Sequence, residues 1–331
     1  MSNLKKYMLA IILFLCMNNS YSQVKIIFDT DFGGDADDLG ALAMLHNFVE
    51  KKECELLAVL CWSTEKYSVP AIDAVNRFYN HPNILIGTRK ADVYTDPNNY
   101  SKPIADKFPH QLIYENAPDA TVLYRQILAR SGNKEITIVA VGPLKNIENL
   151  LKSCADSISP LSGKQLIEKK VKEFVIMGGQ YPEGKKEWNF DGNMPGVTKF
   201  VIENIKVPIV FSGFELGVSI TTGAVFNNID KNTPLYVGFR HFSEFAPWMK
   251  EYYVEGQITS NSTYDQTAVL YAVRKGVGLY WDVIDKGKCV PDENGGNTWV
   301  ASKKSKHQYL KLKMDKTLIA KEIEGFMLNE F

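Results

Sequence analysis

Five aspartates stand within ten residues near the start of the chain: Asp29, Asp31, Asp35, Asp37 and Asp38, with Gly33 and Gly34 among them. Carboxylates this close repel one another and raise one another's pKa unless a cation sits between them. A set of oxygen ligands suits a hard ion, Ca2+ or Mg2+, better than zinc. Part of the cluster has a plainer explanation, because Asp37 and Asp38 fall at a helix start, where negative charge is favoured. Capping accounts for one or two acids but not for five beside two glycines. The stretch is read as a metal site.

The elements that must hold these acids are legible on either side. Val24, Ile26, Ile27 and Phe28 form an apolar, β-branched run of the length of a buried parallel strand. From there on, Leu39, Leu42, Ala43 and Leu45 have helical spacing. The acids thus lie at the carboxyl end of a strand as it hands over to a helix, where open α/β sheets place their ligands. An EF-hand loop counted from Asp29 fails, since Gly33 and Gly40 stand where its third ligand and its last acid belong. A phosphatase of the D-x-D-x-T kind is disfavoured by Gly33 in the place of the threonine.

The same alternation continues along the chain. Strands are expected over residues 55–60, 83–86, 136–141, 171–177 and 207–211. Helices are expected over 71–79, after Asp119 as a cap, through Leu144, Ile147 and Leu150, and over 316–328. This pattern predicts an α/β fold: a mostly parallel, twisted sheet with helices on both faces. The aromatic-rich stretch 236–256 reads as an insertion, and the chain after Trp281 as a hairpin.

Residues 1–22 read as a cleavable signal peptide: Lys5 and Lys6, an apolar core from Met8 to Cys16, then Ser20-Tyr21-Ser22. The apolar core is shorter than the ~20 residues of a spanning helix. Leu15 makes Cys16 a poor lipid-attachment site. The expected mature protein, residues 23–331, is one domain, periplasmic or secreted, and off the membrane. The 38 basic residues balance 38 acidic ones with no basic stripe, which argues against a nucleic-acid partner. Cys54, Cys61, Cys154 and Cys289 form no C-x-x-C pair, and the first two read as small core residues.

The opening motif, D-x-D-x-G-x-D-x-D-D, resembles that of the inosine-uridine preferring nucleoside hydrolase family, and so does the chain as far as about Val273. The resemblance implies a nucleoside hydrolase-like, Rossmann-like fold and a bound Ca2+. Its ligands would be Asp31, Asp38, Asp265 and the backbone carbonyl of Val141, with Asp35 as a further candidate. Asp31 would be the general base and Asp37 a partner of a ribose hydroxyl. Within the segment 177–193, Glu187, Trp188 and Asn189 match the family's Glu-aromatic-Asn triplet, which binds the ribose 5′ and 3′ hydroxyls. Glu65 stands nearest to the family's ribose-binding asparagine, and Tyr264 replaces its histidine beside the departing base. The implied substrate is a small-molecule ribonucleoside, cleaved to free base and ribose, and a homo-oligomer is left open. The alternatives are a secreted riboside- or sugar-binding protein without catalysis, and a hydrolase of another glycoside. Mass spectrometry of the exported form is expected to find a start near Gln23, and a lipid-modified Cys16 would overturn this.

Overall fold

A computed structural model describes residues 23–330, so the signal peptide expected over residues 1–22 lies outside the described residues. Eight strands form the central sheet: β1 Val24–Thr30, β2 Cys54–Cys61, β3 Leu85–Thr88, β4 Ile136–Ala140, β5 Val171–Met177, β6 Ile209–Ser212, β7 Trp281–Ile284 and β8 His307–Leu312. Their order is β7-β8-β6-β5-β4-β1-β2-β3. All neighbours are parallel except β7 and β8, which pair antiparallel at one edge. β1 lies between β2 and β4, so the winding reverses there. Open α/β sheets bind ligands at such a reversal, here at the carboxyl ends of β1 and β4.

The strands are buried on both faces, as near-continuous apolar runs require. On one face lie α1 Asp37–Glu50, α2 Ser68–Phe78, α5 Pro234–Phe245, α6 Asp265–Arg274 and α7 Lys316–Leu328, which share a core with Ile26, Phe28 and Val139. On the other lie α3 Ala120–Arg130 and α4 Lys145–Lys152, packed on Ile27, Ile138 and Phe174. Asp119 caps α3 as expected, accepting hydrogen bonds from the backbone of Thr121 and Val122. α1 packs against α6 and α7. Gly40 permits the approach, because a Cβ there would meet the Gln266 side chain and lie 2.8 Å from the Met327 sulfur.

Two expectations shift. The third strand runs over Leu85–Thr88 rather than 83–86, because Asn80 takes a positive φ and the chain turns through His81 before it pairs with β2. The aromatic stretch begins as the regular helix α5, capped by Thr233, with Leu235, Phe239 and Phe242 buried against the core. Only its far end, with Trp248 and Tyr252, is exposed. Cys54 and Cys61 are fully buried free thiols. Among the described residues no helix is long and apolar enough to cross a membrane.

His46 fixes the back of α1. Its Nε2 is 2.9 Å from Asn76 Oδ1, its Nδ1 shares a hydrogen bond with His81, and its ring stacks on Tyr79. Burial, helped by the charge of His81, pushes its pKa down to about 3. A base held below its unfolded value contributes stability that is whole above that value and is lost as pH falls. The loss should run from about pH 6.5 at ~1.4 kcal/mol per pH unit, reaching about 2 kcal/mol by pH 5. Urea denaturation of wild type and His46→Gln at pH 7 and pH 5 checks this. The variant should lose less stability between the two.

Candidate active site

The acid-rich turn leaves β1 at Thr30 and enters α1 at Asp37, at the winding reversal. Across it stands the first residue of α6, Asp265. Asp37, Asp38 and Asp265 are buried, and each brings a carboxylate oxygen within 4.8 Å of the others. Backbone donors fix the group: Asp265 N–H to Asp37 Oδ2 at 3.3 Å and Asp38 N–H to Asp37 Oδ1 at 3.1 Å. The Thr30 hydroxyl donates to Asp38. Burial, followed by repulsion from their neighbours, holds all three carboxyls well above the usual range. Among the described residues no lysine, arginine or histidine forms an ion pair with Asp31, Asp35, Asp37, Asp38 or Asp265. Hard oxygen donors, buried together with no countercharge, fit a hard cation. The triad can hold a metal.

Asp31 and Asp35 flank this group. The backbone of Gly142, after β4, lies so close to Asp31 that a Cβ there would fall 2.8 Å from the Asp31 nitrogen. The indole Nε1–H of Trp188 donates to Asp31 Oδ2 at 2.9 Å. Desolvation, opposed by this bond, pushes the Asp31 carboxyl up to about 6. Asp35 accepts from the Asn261 amide and is likewise pushed to about 6. Asp29 stays beneath the site, holding Tyr124 Oη at 2.7 Å and Asn146 Nδ2 at 3.0 Å.

The Glu187-Trp188-Asn189 triplet forms the opposite wall. Glu187 caps the short helix Trp188–Asp191, accepting from the backbone N–H of Gly179, Asn189 and Phe190 at 2.9–3.1 Å. Burial pushes its carboxyl to about 7. Asn189 Nδ2 donates to the Val141 carbonyl at 3.0 Å, and among the described residues its buried Oδ1 has no partner. Trp188 is 51% exposed at the mouth. Tyr264 stacks on Phe214, centroids 5.3 Å apart, and desolvation raises its hydroxyl to about 12. Glu65 is fully buried: Oε2 accepts from Tyr67 N–H at 2.7 Å, while Oε1 has no partner among the described residues.

The structure therefore brings the expected acids, Val141, the triplet and Tyr264 together beyond the carboxyl ends of β1 and β4. It differs in emphasis: Asp37, expected as a ribose partner, belongs to the tightest carboxylate group. Trp62, Arg89, Asn261 and Phe214 join the site without a role expected from the sequence. Trp62 meets Trp188 edge to face at 6.5 Å and carries the Arg89 guanidinium 4.8 Å from its ring. Trp62 and Arg89 each directly follow the last residue of a neighbouring strand, β2 and β3, a position that was a usable signal.

These carboxyls have folded pKa values above their unfolded ones, so their own contribution to the stability of the cation-free protein is greatest at low pH, opposite in sign to that of His46. It should fall as pH rises through about 6, set by Asp31 and Asp35, to about 7, set by Glu187. A divalent cation should reverse the loss. Melting temperature with excess Ca2+ minus that with chelator is expected to be small at pH 5 and large at pH 8. Asp265→Asn should shrink the difference at pH 8.

The model of the inosine-uridine preferring nucleoside hydrolases matches residues 26–321. Among solved structures, a plant nucleoside hydrolase shares 16% identity at a TM-score of 0.65, over 92% of this chain and 98% of its own. A purine-preferring ribonucleoside hydrolase from Gardnerella vaginalis shares 15% at a TM-score of 0.67, with the same coverage. A type III effector protein complexed with adenosine diphosphate ribose shares 13% at 0.65, over 97% and 98%. No curated protein matches by sequence. With the model spanning nearly the whole described chain and the acid cluster set at the winding reversal of its sheet, this chain belongs to the inosine-uridine preferring nucleoside hydrolase family.

Proposed function

We propose that the chain, exported by its N-terminal segment to the periplasm or beyond, hydrolyses the N-glycosidic bond of ribonucleosides to free base and ribose. The observation that carries this reading is the buried carboxylate group, without countercharge, at the carboxyl end of β1 in a chain of this family. Asp38 and Asp265 with Asp37, together with Asp31 and the Val141 carbonyl, would hold Ca2+, which when bound supplies a water of lowered pKa and charge facing the ribose hydroxyls.

The protein's own groups do the rest. Asp31, ionised beside the cation, would be placed to accept the proton of the attacking water. The Trp188 indole holds the Asp31 carboxylate in one orientation. Asn189 offers its free Oδ1 to a sugar hydroxyl, and Glu187 fixes the turn that presents it. As the glycosidic bond lengthens, the sugar gains oxocarbenium character, and the surrounding carboxylates stabilise that positive charge. Tyr264 and the Trp62–Trp188 pair give the base an apolar, stacking surface.

A second reading, capture of a riboside without cleavage, draws on the effector that shares the fold and whose structure holds adenosine diphosphate ribose. Incubation with a nucleoside mixture, with and without chelator, separates the two. Free base and ribose released only without chelator support hydrolysis, and Asp31→Asn should abolish the release. Intact nucleosides throughout would favour capture.

The leaving group gives a sharper expectation. A hydroxyl raised to about 12 is a poor proton donor at neutral pH. Purine bases need a proton to leave, whereas p-nitrophenolate does not. Steady-state assays are expected to show p-nitrophenyl riboside cleaved much faster than inosine, with Tyr264→Phe changing the ratio little. Efficient inosine cleavage that collapses in Tyr264→Phe would make the tyrosine the acid.

A further inference from the structure

At the opposite end of the sheet, Lys206, Lys288, Lys304 and Lys306 line a single cavity of about 420 Å³. It sits at the amino ends of β6 and β8, where Ile209 and His307 are register partners. Among the described residues none of these lysines has a carboxylate within ion-pair distance. Lys206 donates to the Glu203 backbone carbonyl, at 2.7 Å. Lys306 reaches only the carbonyl of Lys206, at 3.5 Å. Four lysines against one carboxylate, Glu203, in the lining leave the hollow with a positive balance of charge.

His307 adds a directed donor. Its Nδ1 accepts the Cys289 backbone N–H at 3.3 Å, so the neutral ring carries its proton on Nε2. Burial, then the charges of Lys288 and Lys206, lower its pKa to about 4 and keep it neutral. Val207, Val290 and Pro291 supply an apolar wall to the same cavity.

We propose that this cavity binds a small phosphorylated molecule, its phosphate held by the four lysines and His307 and its organic body against the apolar wall. Lysines act as point charges that suit a dianion, with no forked arginine to select a planar carboxylate. The volume falls within the range of small-molecule pockets, ~300–1,000 Å³. No phenylalanine, tyrosine or tryptophan lines it to stack the bases of a nucleic-acid strand. The site is independent of the hydrolase reading, because it shares no residue with the acid cluster.

Titration calorimetry at low ionic strength tests this, using the mature chain with ribose 5-phosphate, inorganic phosphate and ribose as probes. Ribose 5-phosphate is expected to bind more tightly than either of the others. Lys206→Ala combined with Lys288→Ala should weaken it by at least about tenfold. Ribose binding and melting temperature should not change, since both lysines are exposed. Equal affinity for ribose 5-phosphate in the two proteins, or no binding at all, would overturn the site. Inorganic phosphate binding as tightly as ribose 5-phosphate would overturn the role of the apolar wall.

Discussion

The start of α1 packs against the start of α6, and that contact forces Asp37, Asp38 and Asp265 into one buried volume. Removing an ionised carboxylate from water costs on the order of several kcal/mol, and neighbouring like charges add to it. Nothing cationic in the described protein offsets the cost, which is set instead by packing: the bare backbone of Gly40 lets the helices close, and Phe28, Leu39 and Ala268 bury apolar surface around them. A core of ordinary apolar contacts thus keeps an electrostatically unfavourable arrangement in place, which is the form strain takes in a site prepared for a cation.

The wall that faces the acids depends on a different part of the chain. The strands Lys288–Pro291 and Asn297–Val300 pair as a hairpin, and the second also pairs with Glu183–Gly184. The Asn297 amide bonds to both backbone groups of Gln180, at 2.8 and 2.9 Å, and the Gly295 carbonyl accepts from Glu187 N–H at 3.1 Å. These bonds set the turn in which Glu187 caps Trp188–Asp191, and the cap aims Trp188 at Asp31. The Asn297 side chain is thus linked to the orientation of the proposed base through the turn at Gln180, the Glu187 cap and the Trp188 indole.

The charge distribution follows the topology. Acids gather at the carboxyl end of β1 and lysines at the amino ends of β6 and β8, so a chain with no net charge still carries two local clusters of opposite sign. Balanced composition concealed this. Lys304 and Lys306 belong to the short run Lys303-Lys304-Ser305-Lys306, while Lys206 and Lys288 come from distant segments, so no single stretch of sequence shows the four together.

The sequence by itself determined the local elements and the acid-rich turn. β-branched runs, helical spacing and the Asp119 cap are properties of neighbouring residues, and the strands and helices they predict are present with small changes of boundary. The D-x-D-x-G pattern marked the site because its five acids are adjacent and costly wherever the chain folds. Tertiary structure decided what those acids face. Asp37 and Asp265 are 228 residues apart, Trp188 reaches Asp31 only once the hairpin is docked, and Trp62 and Arg89 meet because β2 and β3 are neighbours in register. Such meetings depend on strand order and helix packing, which carry no signature within a single stretch of sequence.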